Sequence, residues 1–316
     1  MAASRSLEGE VLFGISTIYT VQAGEATYQC RIKGKKLKEP GRSYNPIAPG
    51  DLVQIIPDAI GPGEGMIASV LQRRTRLLRW NKKGRAPQLL AANADLAVCV
   101  TTPDAPPFRP RFIDRLIVAA EAGGLTPMVL MNKCDLPCSA ETVERLDHYR
   151  QMGYEVLRCS ARTGEGIPEL VSLMKGRTVV FVGQSGVGKS SLLNTISPGL
   201  DLRVGDLSQK HNRGNHTTNF SILLTPLPGL RIVDTPGVRE LELAEILPEE
   251  AAFHFRDFAA HSRSCSFQPC LHDDEPGCAV AAAVERGEIH ADRYESYLRI
   301  LQELRETVPM WRRLER

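Results

Sequence analysis

Two short stretches hold the residues most able to do chemistry. Gly183-Gln184-Ser185-Gly186-Val187-Gly188-Lys189-Ser190-Ser191 has the composition and spacing of a phosphate-binding loop. Glycines at 183, 186 and 188 allow backbone N–H groups to turn toward phosphate oxygens, and the helix N-terminus that follows adds positive potential there. Lys189 would reach the β- and γ-phosphates while the Ser190 hydroxyl ligates Mg²⁺. Asn132-Lys133-Cys134-Asp135 supplies a carboxylate able to accept from the N1–H and exocyclic amine of guanine, with the Lys133 stem laid along the base. Adenine cannot supply those two donors, and a polar pocket left unpaired rejects the wrong ligand by orders of magnitude. The pair of motifs reads as a GTP site, with an ATP-using enzyme as the rival.

Two further pieces complete that pocket. Asp234-Thr235-Pro236-Gly237 puts a carboxylate near Mg²⁺ and a glycine N–H near the γ-phosphate, and Cys159-Ser160-Ala161 brings Ser160 and Ala161, small residues, to the guanine edge. A plain loop would explain the Ser-Ala pair equally well. A first switch is expected around His216-Thr217-Thr218, where Thr217 or Thr218 closes over Mg²⁺ and the γ-phosphate. Val238 stands where many small GTPases carry a water-orienting glutamine. Valine cannot orient water, so His216 is a candidate catalyst, with an exposed loop histidine as the alternative.

The elements that must position these residues are legible as apolar runs. Thr178-Val179-Val180-Phe181-Val182 reads as a buried strand before the phosphate loop, Met128 to Met131 as one before Asn132, Tyr154 to Leu157 before Cys159, and Leu230 to Val233 before Asp234. Amphipathic helices are predicted over 111–122 and 141–152. Strands alternating with helices mean a parallel α/β sheet, whose ligands bind beyond the carboxyl ends of the strands. The order is unusual: the base-reading motifs precede the phosphate loop. This is a circular permutation, and it makes the γ-phosphate-sensing loop after Asp234 run directly into the C-terminal part of the chain.

In these motifs, together with Asn93-Ala94-Asp95, Gly214-Asn215-His216-Thr217-Thr218 and a C-terminal Cys/His cluster, the chain resembles the circularly permuted, ribosome small-subunit-dependent GTPases of the RsgA/YjeQ type. The resemblance covers nearly the whole chain. It departs at Asn215, where the family more usually has arginine, and at Asn219. It implies an oligonucleotide-binding barrel, a permuted GTPase domain and a zinc-binding helical domain, acting with rRNA in maturation of the small ribosomal subunit.

At 316 residues the chain is long enough for two or three domains. We expect a multidomain fold: a β-barrel of the OB-fold type over 1–85, a central α/β P-loop GTPase domain over 86–248 and an α-helical zinc-binding domain over 249–316, with linkers near 81–87 and 247–249. Net charge is +2, but residues 1–85 hold fourteen Lys/Arg against seven Asp/Glu, whereas 249–316 hold nine Arg against thirteen acids. In the first region, β-character runs at 11–20, 27–32, 51–56 and 65–71 are broken by Gly and Pro, which suits a small closed barrel. Lys33, Lys35, Lys36, Lys38, Arg73, Arg74 and Arg76 are candidates for RNA-backbone contact, the alternative being a merely solvated basic surface.

After Pro248 no strand is evident, and Tyr294, Tyr297, Leu298, Leu301, Leu304 and Val308 recur at helical spacing as a core-facing stripe. Arg312-Arg313 near its end could touch RNA or merely favour a helix terminus. Four of the eight cysteines fall within nucleotide-domain elements, which argues for reduced thiols. Cys265, Cys270 and Cys278 lie with His272 in a C-x₄-C-x-H-x₅-C pattern. Three thiolates and an imidazole suit one tetrahedral Zn²⁺ with no open position, hence a structural role; unligated core cysteines are the alternative. No apolar run is long enough to span a bilayer and the first ten residues lack the apolar core of a secretory signal, so a cytoplasmic protein, monomeric and without membrane contact, is expected. A non-hydrolysing, nucleotide-gated RNA-binding scaffold is the alternative function.

Overall fold

The computed structural model describes residues 6–33, 43–59, 61–198 and 220–306. The N-terminal region forms five strands: β1 (Leu7–Ile15), β2 (Ile18–Ala23), β3 (Ala26–Ile32), β4 (Leu52–Pro57) and β5 (Glu64–Val70). They close as β1-β2-β3-β5-β4 and back to β1, with only the β3–β5 pair parallel. Alternate side chains, among them Val11, Val21, Cys30, Val53, Ile55 and Ile67, fill the interior, as the period-two pattern requires. The run read as one segment over 11–20 is a hairpin. Ser16, at φ 56°, turns the chain without the Gly or Pro that would have marked it.

A second hairpin, β6 (Arg76–Asn81) and β7 (Ala86–Ala92), follows. The expected linker at 81–87 is therefore a hairpin turn, in which the side chain of Asn81 accepts from the Gly84 N–H at 2.8 Å. Thereafter come β8 (Leu96–Thr101), α1 (Pro110–Ala122), β9 (Thr126–Met131), α2 (Ala140–Gln151), β10 (Glu155–Arg158), α3 (Ile167–Met174), β11 (Thr178–Gly183), α4 (Lys189–Ile196), β12 (Ile222–Leu227) and β13 (Leu230–Asp234). Strands β10, β9, β8, β11 and β13 are parallel neighbours in that order, and β12 runs antiparallel to β13.

Alternation along these strands feeds two cores. Ala97, Cys99, Val129, Met131, Val180 and Val182 face α1, α2 and the C-terminal region, while Leu96, Val98, Leu130, Val179 and Phe181 face α3 and α4. Each strand is apolar on both faces, the composition a sheet covered by helices demands. Beyond an irregularity between Val11 and Phe13, β1 reaches β12 through the pair Phe13–Ile222, and Phe13 stacks on Phe220 at 6.1 Å. Barrel and GTPase sheet are thereby one continuous sheet.

Among the described residues no strand follows β13, as expected. The 3₁₀ turn Pro248–His254 leads to α5 (Ala259–Ser262), α6 (Ala279–Glu285) and α7 (Ala291–Glu306). In α7, Tyr297, Ile300, Leu301 and Leu304 are buried in the same core as α1. Arg293 is buried with them at 0% exposure, donating to Asp114 of α1 (2.6 Å) and to Asp257 (3.1 Å). Asp114, also fully buried, accepts in addition from Tyr149 (2.7 Å) and Arg145 (3.1 Å), so one carboxylate ties α1, α2 and α7 together. No described helix is long and apolar enough to cross a membrane.

Candidate functional site

The carboxyl ends of β8, β9, β10, β11 and β13 lie along one edge of the sheet, and the sequence motifs issue from them. Asn132 follows β9 and is buried. Its Nδ2 donates to the Val187 carbonyl at 2.8 Å, and its Oδ1 accepts from the Ala161 N–H at 3.1 Å. One amide thus joins the base loop, the Ser-Ala loop and the phosphate loop. Lys133, held at φ 60°, spans the same seam, donating to the carbonyls of Gly186 (2.8 Å) and Ala105. Gly188 sits at φ 92° with Asn132 Nδ2 where a β-carbon would go, so no other residue fits there without displacing that amide.

Asp135 is held by the loop after β10. Its Oδ1 accepts from the Ser160 hydroxyl and its Oδ2 pairs with Arg162 at 2.7 Å. The Ser160 hydroxyl first, then the residue's own backbone N–H and the Arg162 guanidinium, hold this carboxyl below its usual range against the opposing effect of desolvation. Ser160 is fully buried and also accepts from the N–H groups of Arg162 and Thr163, at 3.2 Å each. The Ser-Ala pair, uninformative as sequence, therefore contains the anchor of the Asp135 carboxylate. Arg162 was not singled out by sequence; a basic residue directly after Ser-Ala was the available signal.

At the phosphate end Lys189 is buried and donates to the carbonyls of Gly183 (2.8 Å) and Gln184 (3.4 Å). Asp234 lies at the end of β13 with its Oδ1 buried and unpartnered. Burial pushes its carboxyl up to about 6, with Lys189 pulling the other way. An unpartnered buried carboxylate oxygen and the Ser190 hydroxyl at the start of α4 make a donor set that fits Mg²⁺, a hard cation taking oxygen ligands. Gly237 packs against the backbone of Ser185, which closes the loop after Asp234 onto the phosphate loop. Val238 is 2% exposed, belongs to the core and donates its N–H to the Gly183 carbonyl at 3.1 Å. With its amide oxygen turned toward Arg109, the Gln184 side chain accepts from Nη1 (3.0 Å) and Nε (3.2 Å). Thr217, Thr218 and His216, with the rest of 199–219, lie outside the described residues, as do Lys35, Lys36, Lys38, Val308, Arg312 and Arg313.

The Cys/His cluster is assembled as its spacing suggested. The four ligand atoms of Cys265, Cys270, His272 and Cys278 lie within 4.8 Å of one another, with His272 Nδ1 3.6 Å from the Cys265 sulfur and 3.4 Å from that of Cys278. Cys278 caps α6, accepting from the Ala281 N–H. The Glu275 carboxylate takes the N–H groups of Leu271 (2.9 Å) and Asp273 (2.6 Å), and the hydroxyls of Tyr294 and Tyr297 hold the carbonyls of His272 and Leu271. Three sulfurs and one imidazole converging in this loop, with the surrounding carbonyls and N–H groups tied down, are a ligand set that fits a structural metal site. All eight cysteines are free of disulfides.

One basic candidate is reassigned. Arg73 makes a paired contact with the fully buried Asp51 (2.7 and 3.0 Å) and donates to the Pro46 carbonyl at 2.7 Å. Its guanidinium is part of the barrel's interior bracing, because a buried carboxylate must be paired. Arg74 and Arg76 pair with Asp95 and Glu245, both at 2.8 Å.

Comparison with known proteins turns this geometry into a family assignment. The family model described as RsgA GTPase matches residues 70–244. The chain belongs to the RsgA GTPase family. It is 36% identical over 301 residues to the small ribosomal subunit biogenesis GTPase RsgA of Borreliella burgdorferi, covering 95% of this chain and 97% of the relative. It is 40% identical over 299 residues to the protein of that name from Moorella thermoacetica, covering 94% and 97%. The crystal structure of YjeQ from Thermotoga maritima superposes with a TM-score of 0.71 at 34% identity, over 95% of this chain and 99% of that one. As a member of the RsgA GTPase family the chain is a GTP hydrolase of the circularly permuted class, with an N-terminal barrel, a central α/β GTPase domain and a C-terminal Cys₃His cluster.

Proposed function

We propose that this protein hydrolyses GTP to GDP and phosphate during late maturation of the small ribosomal subunit, and that rRNA-stimulated turnover sets how long it stays on the particle. The observation that carries the reading is the Asn132 amide, which joins the base-reading and phosphate-binding loops at one sheet edge although their order in the chain is reversed. Asn132, Lys133, Asp135, Ser160 and Ala161 take the guanine. The loop from Gly183 to Ser191 takes the phosphates through its backbone and Lys189, joined by Gly237. Ser190 and Asp234, with Thr217 or Thr218, hold Mg²⁺, which when bound neutralises charge on the phosphate oxygens. Zn²⁺ fills the Cys265-Cys270-His272-Cys278 cluster.

The burial of Val238 supports a catalytic group from elsewhere, and His216 in the first switch is our candidate, completed by contact with the subunit. The boundaries 1–85, 86–248 and 249–316 serve as units of RNA binding, catalysis and metal-held docking. Lys33 and the basic segment that follows contact rRNA, and the protein works as a monomer in the cytoplasm. Phosphate release from GTP, measured with and without small ribosomal subunits, tests the proposal. Strong stimulation by subunits is expected; equal rates in both arms would favour a nucleotide-gated scaffold instead.

A further inference from the structure

A second group of metal-binding side chains lies away from the Cys/His cluster and shares no residue with it. Glu144 and His148 are one helical turn apart on α2, so both project from the same face. His290 immediately precedes α7 and meets that face from the C-terminal region. The two imidazoles stand edge to face with centroids 4.7 Å apart. One ligand atom from each of Glu144, His148 and His290 falls within 4.8 Å of the others. A second, separate observation is that His148 Nδ1 is buried without a hydrogen-bond partner. A buried ring nitrogen left unpaired is unfavourable, and it asks for a proton or a metal.

We propose that Glu144, His148 and His290 form a second metal site, for Zn²⁺ or a first-row neighbour, which clamps α2 of the GTPase domain to α7. Two imidazoles and one carboxylate match the preferences of that class, whereas Mg²⁺ favours all-oxygen sets. Glu144 is exposed and leaves the site open to entering metal. With three protein ligands, a fourth position remains for water.

The position of His290 couples the site to the C-terminal helix. Its Nδ1 accepts the Asp292 N–H at 3.1 Å. A metal takes this ring at Nδ1 in place of that amide, or at Nε2 after the proton has moved to Nδ1. Either route gives up the amide contact, so loading registers at the first turn of α7.

The test uses the full chain saturated with Zn²⁺ and freed of loosely held metal by gel filtration. Wild type is expected to retain two equivalents, and Cys270→Ser and the double variant Glu144→Gln/His148→Gln one each. Titration with Co²⁺ checks the wild type without any substitution. The first equivalent should show sulfur-to-cobalt charge transfer, and the second only d–d absorption, while the Asp292 amide resonance moves with the second alone. Retention of a single equivalent by wild type, or of both by the Glu144/His148 variant, overturns the proposal, as does a second cobalt equivalent that leaves the Asp292 amide unmoved.

Discussion

Replacing Asp234 by asparagine is expected to stabilise the nucleotide-free protein while abolishing turnover. The carboxyl is 5% exposed, one oxygen has no partner, and burial pushes it up to about 6 from an ordinary 3.8. Between those two values the folded protein holds a proton that the unfolded chain has released, so stability falls as pH rises from about 4 to about 6 and is level above. At ~1.4 kcal/mol per pH unit the penalty on the ionised native state reaches about 3 kcal/mol. Asparagine mimics the protonated acid and escapes it. Urea unfolding in EDTA should show wild type and Asp234→Asn nearly equal near pH 4 and separated by about 3 kcal/mol at pH 8, the variant being the more stable. Adding Mg²⁺ and GDP should narrow the gap by stabilising wild type more than the variant, which keeps the base and phosphate contacts but lacks the carboxylate for the cation. A variant less stable than wild type at pH 8, or a gap that does not change with pH, would refute the view of Asp234 as an uncompensated carboxylate awaiting a cation.

Three further outcomes follow from named contacts. Asp114→Asn leaves the buried guanidiniums of Arg145 (4% exposed) and Arg293 (0%) without their shared carboxylate, so a loss of ~3–5 kcal/mol is expected in denaturant unfolding; a loss under about 1 kcal/mol would show that the network does not hold α7 to α1. Cys270→Ser should release the metal of the Cys/His cluster and speed amide exchange in 259–285 while leaving GDP affinity unchanged, as mass spectrometry with hydrogen exchange would report. Ser160→Ala should weaken GDP binding about tenfold by removing a donor to Asp135, since hydrogen bonds to charged groups are the stronger ones; affinity within twofold of wild type in a fluorescent-nucleotide titration would assign that hydroxyl a purely local role.

The placement of the candidate nucleotide loops was legible in the sequence because each directly follows an apolar, β-branched run, and alternation of strands with helices then puts the loops at one sheet edge. The four metal-cluster residues were legible for a similar reason, being confined to one short segment. What escaped were tertiary choices. Gly14 and Ser16 are weak turn marks inside an otherwise apolar, β-branched run, so β1 and β2 read as one strand, and pairing of Phe13 with Ile222 joins segments some two hundred residues apart that carry no mark of each other. Arg73 reads as surface charge until Asp51 is found buried against it. Asp114 offered a usable hint: an acid flanked by Phe112, Ile113, Leu116 and Ile117 sits on an apolar helix face and needs a partner. Its partners Arg145 and Arg293 come from distant helices that only the fold brings near.

The central claim, that a guanine-reading carboxylate governs hydrolysis on the small subunit, is tested most directly by phosphate release from Asp135→Asn in the presence of small ribosomal subunits, with GTP and XTP compared. The amide offers a donor where the carboxylate accepted, so preference should pass from GTP to XTP, with subunit-stimulated turnover restored by XTP. Retained preference for GTP, or XTP turnover that subunits do not stimulate, would contradict the account.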